Sequence, residues 1–150
     1  MTNTILLVED EKKTGELLKQ ALEKEEIDVI WAMDGKSALE KMEKGRYDLI
    51  VLDLKLPGIS GDEVLAGIRK IDPYAEVIVY TNYEDPPVMK KLINLGVDGY
   101  IHKGADADLW DTVKRIKSKL DPFSEDKRDQ LFDAVPDDMF HEHDSPEDNE

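Results

Sequence analysis

The chain predicts an α/β fold, a doubly wound five-stranded parallel sheet with helices on both faces, and three observations carry that prediction. Five short apolar runs alternate strictly with five amphipathic stretches at helical spacing, the pattern of repeated βα units joined by right-handed crossovers. The run Asp48–Leu52 has no polar face, since Leu49, Ile50, Val51 and Leu52 are all aliphatic. Such a run suits a central strand buried on both sides. Finally, residues able to do chemistry stand just where the runs end, the edge at which open α/β sheets hold their ligands.

Taken in order, Thr4–Val8 is a short apolar strand followed at once by Glu9, Asp10 and Glu11. A helix from about Lys12 carries Leu17, Leu18, Ala21 and Leu22 on one face, and Ile27–Trp31 forms the second strand. Asp34 caps a helix with apolar positions Ala38, Leu39 and Met42 that stops at Gly45. The central strand delivers Asp53, a charge costly to bury unpaired. Pro57 and Gly58 then turn the chain, and Ser60 with Glu63 forms a capping box for a helix bearing Val64, Leu65, Ile68 and Ile71, stopped by Pro73. Glu76–Thr81 is the fourth strand. Pro86–Pro87 suits the first turn of a helix carrying Val88, Leu92 and Leu95 and ended by Gly96. Tyr100–Ile101 is a brief fifth strand closing on Lys103, and Leu109, Val113, Ile116 and Leu120 mark the last helix.

Composition narrows the function classes. At 150 residues and 40% hydrophobic content the chain can bury one ordinary core. There is no cysteine, so neither a disulfide framework nor a thiolate metal site can form. No apolar run approaches the roughly 20 residues of a membrane span. The N-terminus enters a strand directly without a basic region, unlike a signal peptide, and a cytoplasmic protein is expected. The formal charge of −15 is uneven. Residues 1–120 hold 23 acids against 18 bases, whereas residues 121–150 hold 12 against 2. Such a surface repels phosphate backbones and anionic lipid, which argues against nucleic-acid or membrane partners.

The strand ends bring together Glu9 and Asp10, Asp53, Thr81 and Lys103. Clustered carboxylates repel, and a divalent cation among them relieves that cost. Oxygen-only ligation with room for water suits Mg²⁺. A hydroxyl and an ammonium facing one carboxylate would hold the oxygens of a phosphoryl group on it, and aspartyl phosphates are a known form of covalent catalysis. With Glu9–Asp10, Asp53 within VLDLKLPGISG, Thr81 within VIVYT and Lys103 within GYIHKG, residues 3–120 resemble the receiver domain of two-component response regulators.

The resemblance implies a flavodoxin-like sheet of order 2-1-3-4-5, with residues 1–120 as a receiver of the single-domain type. It implies that Asp53 accepts a phosphoryl group from a sensor histidine kinase, a histidine phosphotransfer protein or a small donor such as acetyl phosphate. Mg²⁺ would be bound by Asp10, Asp53 and the backbone carbonyl of Lys55, with Glu9 acting through water. Thr81 and Lys103 would hold the phosphoryl oxygens. Tyr100 would follow Thr81, so that the fourth helix, fifth strand and fifth helix form the face read by a downstream protein. The chain would phosphorylate itself and lose the label slowly, without acting as a turnover enzyme. Two positions depart from the pattern. Gly104 follows Lys103 where the family has proline, and Lys55 with Tyr83 flanks the site and would shield the acyl phosphate from water.

Two other classes fit parts of the chain. A phosphatase of the haloacid dehalogenase type also uses a strand-end Asp, a Thr and a Lys, but needs a second acid where this chain has Lys55. A constitutive scaffold would work through residues 121–150, whose Phe123, Leu131, Phe132, Val135, Met139 and Phe140 interrupt the acid. That segment reads either as a flexible solubilising tail or as a motif that folds on a partner or on the receiver. His141 and His143 are at most a weak metal pair. Trp110 lies off the apolar stripe of the last helix, so it is either exposed on the output face or covers a neighbouring helix. His102 has no role beyond the solvent-facing or structural one.

Overall fold

A computed structural model of the chain describes residues 2–82, 85–103 and 109–121. The elements are β1 (Thr4–Val8), α1 (Lys12–Lys24), β2 (Asp28–Ala32), α2 (Gly35–Lys44), β3 (Leu49–Leu52), α3 (Gly61–Ile71), β4 (Val77–Thr81), α4 (Pro86–Asn94), β5 (Gly99–His102) and α5 (Leu109–Leu120). All four strand pairings are parallel, in the order β2-β1-β3-β4-β5. The doubly wound sheet predicted from the alternation is therefore present. The chain divides into two units, residues 1–115 and 116–150, with the boundary inside α5. The whole sheet and helices α1 to α4 belong to the first unit.

The three central strands are buried along their length apart from Thr4, as their largely apolar runs require. Alternate residues serve opposite faces. Leu6, Val8, Ile50, Leu52, Val77 and Val79 join Ala38 and Met42 of α2, Val64, Leu65 and Ile68 of α3, and Leu92 of α4 in one core cluster. Ile5, Leu7, Val29, Leu49, Val51 and Ile78 are equally buried but belong to the other face, where Leu18, Ala21 and Leu22 of α1 are also buried.

Strand limits differ from expectation by one residue or so, for local reasons. Ile27 donates its N–H to the Leu22 carbonyl (3.2 Å), closing the turn that follows α1, so β2 starts one residue later. Ala32 extends β2 instead, since its carbonyl accepts from Glu9 N–H at 3.0 Å. Asp34 caps α2 by accepting from Ser37 N–H at 2.7 Å. Gly45, read as a helix-ending glycine, is extended (φ −149°), so a left-handed cap is not what stops α2. Gly58 (φ +81°) and Gly96 (φ +76°), by contrast, occupy the left-handed region that other residues resist. Glu63 Oε1 accepts from Ser60 N–H (3.5 Å) and its hydroxyl (2.9 Å), the predicted box at the start of α3. Among the described residues no helix is long and apolar enough to cross a membrane.

Candidate functional site

Parallel register brings the strand ends to one edge. Val8 pairs with Leu52 and Ala32, Leu52 with Val79, and Thr81 with His102. Glu9 and Asp53 are thus each the first residue beyond adjacent central strands, and Asp53 N–H donates to the Val8 carbonyl at 3.0 Å. Lys103 N–H donates to the Thr81 carbonyl at 3.0 Å, which fixes where the lysine leaves β5.

The side chains then converge. Lys103 Nζ donates to Glu9 Oε1 and, at 3.0 Å, to Asp53 Oδ2. Asp53 is 5% exposed, Glu9 and Thr81 are fully buried, and Asp10 is exposed. Asp53 Oδ1 accepts from Lys55 N–H at 3.2 Å, and the Lys55 side chain itself is exposed. Glu9 Oε2 accepts from Glu11 N–H at 3.0 Å. Carboxylate oxygens of Glu9, Asp10 and Asp53 lie within 4.8 Å of one another. Every donor in that set is a hard oxygen, so a small divalent cation fits it.

Among the described residues, one ammonium stands among three carboxylates, which leaves them short of positive charge. Burial pushes the Glu9 carboxyl up to about 7; Lys103 and the Glu11 N–H oppose this, and the Asp53 charge adds to it. Burial alone would lower the Lys103 ammonium, but its bonds to Glu9 and Asp53 outweigh that and hold it above the usual lysine value. The ammonium sits 4.9 Å from the centre of the Tyr80 ring, a cation–π distance. Burial raises the Tyr80 phenol, which is hydrogen-bonded to Thr112 of α5.

Sequence reading singled out Glu9, Asp10, Asp53 and Lys103, and these four come together. Thr81 stands at the end of β4 beside them in the sheet. Tyr100 lies half-buried on β5, lining a groove of about 580 Å³ with Asp85, Pro86, Met89, Lys90 and Ile93. Trp110 is 57% exposed. Tyr83, Gly104, His141, His143 and the apolar residues of 122–150 lie outside the described residues. The pairing of Glu9 with Lys103, the Tyr80 ring and the indole of Trp31, which donates to the Glu9 carbonyl at 2.8 Å, were not foreseen. The only signal for them was strand register.

Residues 5–114 match the model of the response regulator receiver domain. Sporulation initiation phosphotransferase F of Bacillus subtilis is 34% identical over 116 residues, 77% of this chain and 94% of that protein. A CheY-like response regulator receiver domain protein from Methanospirillum hungatei aligns with a TM-score of 0.75 and 32% identity, over 80% of this chain and 94% of that one. The response regulator TrrA from Thermotoga maritima, solved in complex with Mg²⁺-BeF, aligns with a TM-score of 0.68 and 37% identity, over 79% and 99%. Other curated relatives are longer, and the chain spans 28% to 56% of their length.

Proposed function

The chain belongs to the response regulator receiver domain family, and from that premise we propose that it is a signalling switch thrown by phosphorylation of Asp53. The observation that carries the reading is the Asp53 carboxylate itself. It is buried at a strand end, held on one oxygen by Lys103 Nζ and on the other by Lys55 N–H, within reach of two further acids.

In this reading a carboxylate oxygen of Asp53 attacks the phosphorus of a phosphohistidine on a sensor kinase or phosphotransfer protein. The P–N bond breaks, the imidazole keeps the electron pair, and an acyl phosphate remains on Asp53. Phosphoryl transfer asks mainly for positioning and charge neutralisation. Lys103 supplies one positive charge at the Asp53 carboxylate, and Thr81, one strand over, would donate its hydroxyl to a phosphoryl oxygen. Glu9, Asp10 and Asp53, with the Lys55 carbonyl, would hold Mg²⁺, which neutralises phosphoryl charge when bound. Lys103 already bonds Asp53 without phosphate, so the added hydrogen bond is the one from Thr81. It contributes roughly 1.5–3 kcal/mol, about half or less of the roughly 5.5 kcal/mol that inverts a 1:99 equilibrium.

The groove between α4 and β5 that Tyr100 lines supports a readout face there for a downstream protein. We assign residues 1–120 to the receiver and 121–150 to an acidic tail, and the net charge of −15 supports a cytoplasmic protein partner over nucleic acid or membrane.

Intact mass after incubation with Mg²⁺ and acetyl phosphate tests the central claim. One phosphoryl group is expected on the wild type and none on Asp53→Asn. Label on both, or no label together with no binding of beryllofluoride, would overturn it and favour a scaffold that does not switch.

A further inference from the structure

We infer that Trp31, on the edge strand β2, is a positioning residue for the acidic turn: its indole N–H fixes the Glu9–Asp10 peptide and so sets the cation affinity of the cluster. The inference rests on the metal-binding reading of the site and deepens it.

Glu9 is the first residue past β1, where the backbone leaves the sheet ladder. Both of its main-chain groups are nevertheless held, and both by β2. Its N–H donates to the Ala32 carbonyl at 3.0 Å, and its carbonyl accepts from Trp31 Nε1 at 2.8 Å. Its two carboxylate oxygens are taken by Lys103 and the Glu11 N–H. No polar atom of Glu9 is left to move. A peptide unit is planar, so fixing the Glu9 carbonyl also fixes the N–H and Cα of Asp10. Asp10 is the exposed member of the trio, and its place depends on that backbone.

The ring occupies a slot built for it. A methyl group on Gly15 of α1 would stand 2.1 Å and 2.4 Å from indole carbons, so only glycine leaves room there. Glycine weakens a helix interior relative to alanine, and α1 carries that cost at the position where the indole lies. Two elements thus combine to aim one N–H at the turn between β1 and α1. Groups behind a metal's direct ligands orient those ligands and tune affinity. Carboxylates that repel one another need that orientation most, because the unliganded turn otherwise relaxes by spreading them apart.

Losing one neutral hydrogen bond should weaken Mg²⁺ binding about three- to tenfold. The test is Mg²⁺ titration of wild type, Trp31→Phe and Trp110→Phe by calorimetry, with urea unfolding of each in metal-free buffer. Trp31→Phe keeps an aromatic ring but no donor, and should show the weakened affinity. Trp110→Phe should bind as the wild type does. A purely structural Trp31 would lower the urea midpoint and leave the affinity alone. In the wild type, the Trp31 indole N–H resonance should also shift as Mg²⁺ is added, while that of Trp110 stays. Unchanged affinity in Trp31→Phe overturns the inference. So does an indole resonance that stays fixed while the Asp10 and Asp53 amides move, a readout needing no variant. Absence of Mg²⁺ binding by the wild type would instead overturn the parent reading of the site.

Discussion

The two edges of the sheet each hold a partly buried cation, and they resolve it in opposite ways. At the edge where strands begin, the Arg69 side chain is 16% exposed; where they end, that of Lys103 is 14% exposed. Burial does not distinguish them. Arg69 donates to the carbonyls of Leu95, Ala75 and Gly96 at 2.9, 2.5 and 2.7 Å, and lies 3.5 Å from Asp98 Oδ2. That oxygen also accepts from Val77 N–H at 2.7 Å. One guanidinium thus ties α3 to the end of α4 and the starts of β4 and β5, and its charge meets backbone dipoles and one carboxylate. Lys103 meets two buried carboxylates with a third beside them. Among the described residues, the first edge is satisfied by backbone carbonyls and one carboxylate, whereas at the second three carboxylates share one ammonium. That imbalance separates the working edge from the structural one more sharply than burial does.

Lys103→Met should break the comparison most severely. It leaves Glu9 and Asp53 buried without their ammonium, at a cost of about 3–5 kcal/mol in metal-free buffer. Because the acids then have no internal cation, Mg²⁺ should stabilise this variant more than it stabilises the wild type, measured as the shift in urea midpoint.

Arg69→Met should cost about 3 kcal/mol, since several charge-assisted bonds are lost without adding fully. Here Mg²⁺ should raise the midpoint only as much as in the wild type, and phosphoryl incorporation should survive. Equal rescue of both variants by Mg²⁺ would erase the distinction between the edges.

A further effect is on pH dependence. Glu9 has an unfolded value near 4.5 and a folded one near 7, so folding takes up a proton between them. Stability from this group is fully present below 4.5, falls as pH rises, and levels off above 7. In metal-free protein the unfolding free energy should fall across that window, and Glu9→Gln should flatten this part of the profile. A slope that survives Glu9→Gln would assign the titration elsewhere.

Much of this was legible in one dimension. Continuous aliphatic runs specify strands buried on both faces, as at Leu49–Leu52, and caps such as Asp34 and Ser60 with Glu63 declare themselves over three or four residues. The strand-end residues Glu9, Asp10, Asp53, Thr81 and Lys103 were visible because a parallel sheet must bring such ends to one edge. Gly45 was legible as the end of α2, but not its extended conformation, because a glycine after a helix does not by itself report its own dihedral angle.

The sequence alone determined the alternation, the parallel sheet and the roster of chemical groups, because these follow from local periodicity and residue type. Tertiary structure alone decided that Lys103 bonds Glu9 across 94 positions, that Trp31 reaches the Glu9 carbonyl across 22, and that Arg69 closes on Leu95 across 26. Those contacts depend on register and on side-chain reach of a few ångströms, and no spacing along the chain encodes either.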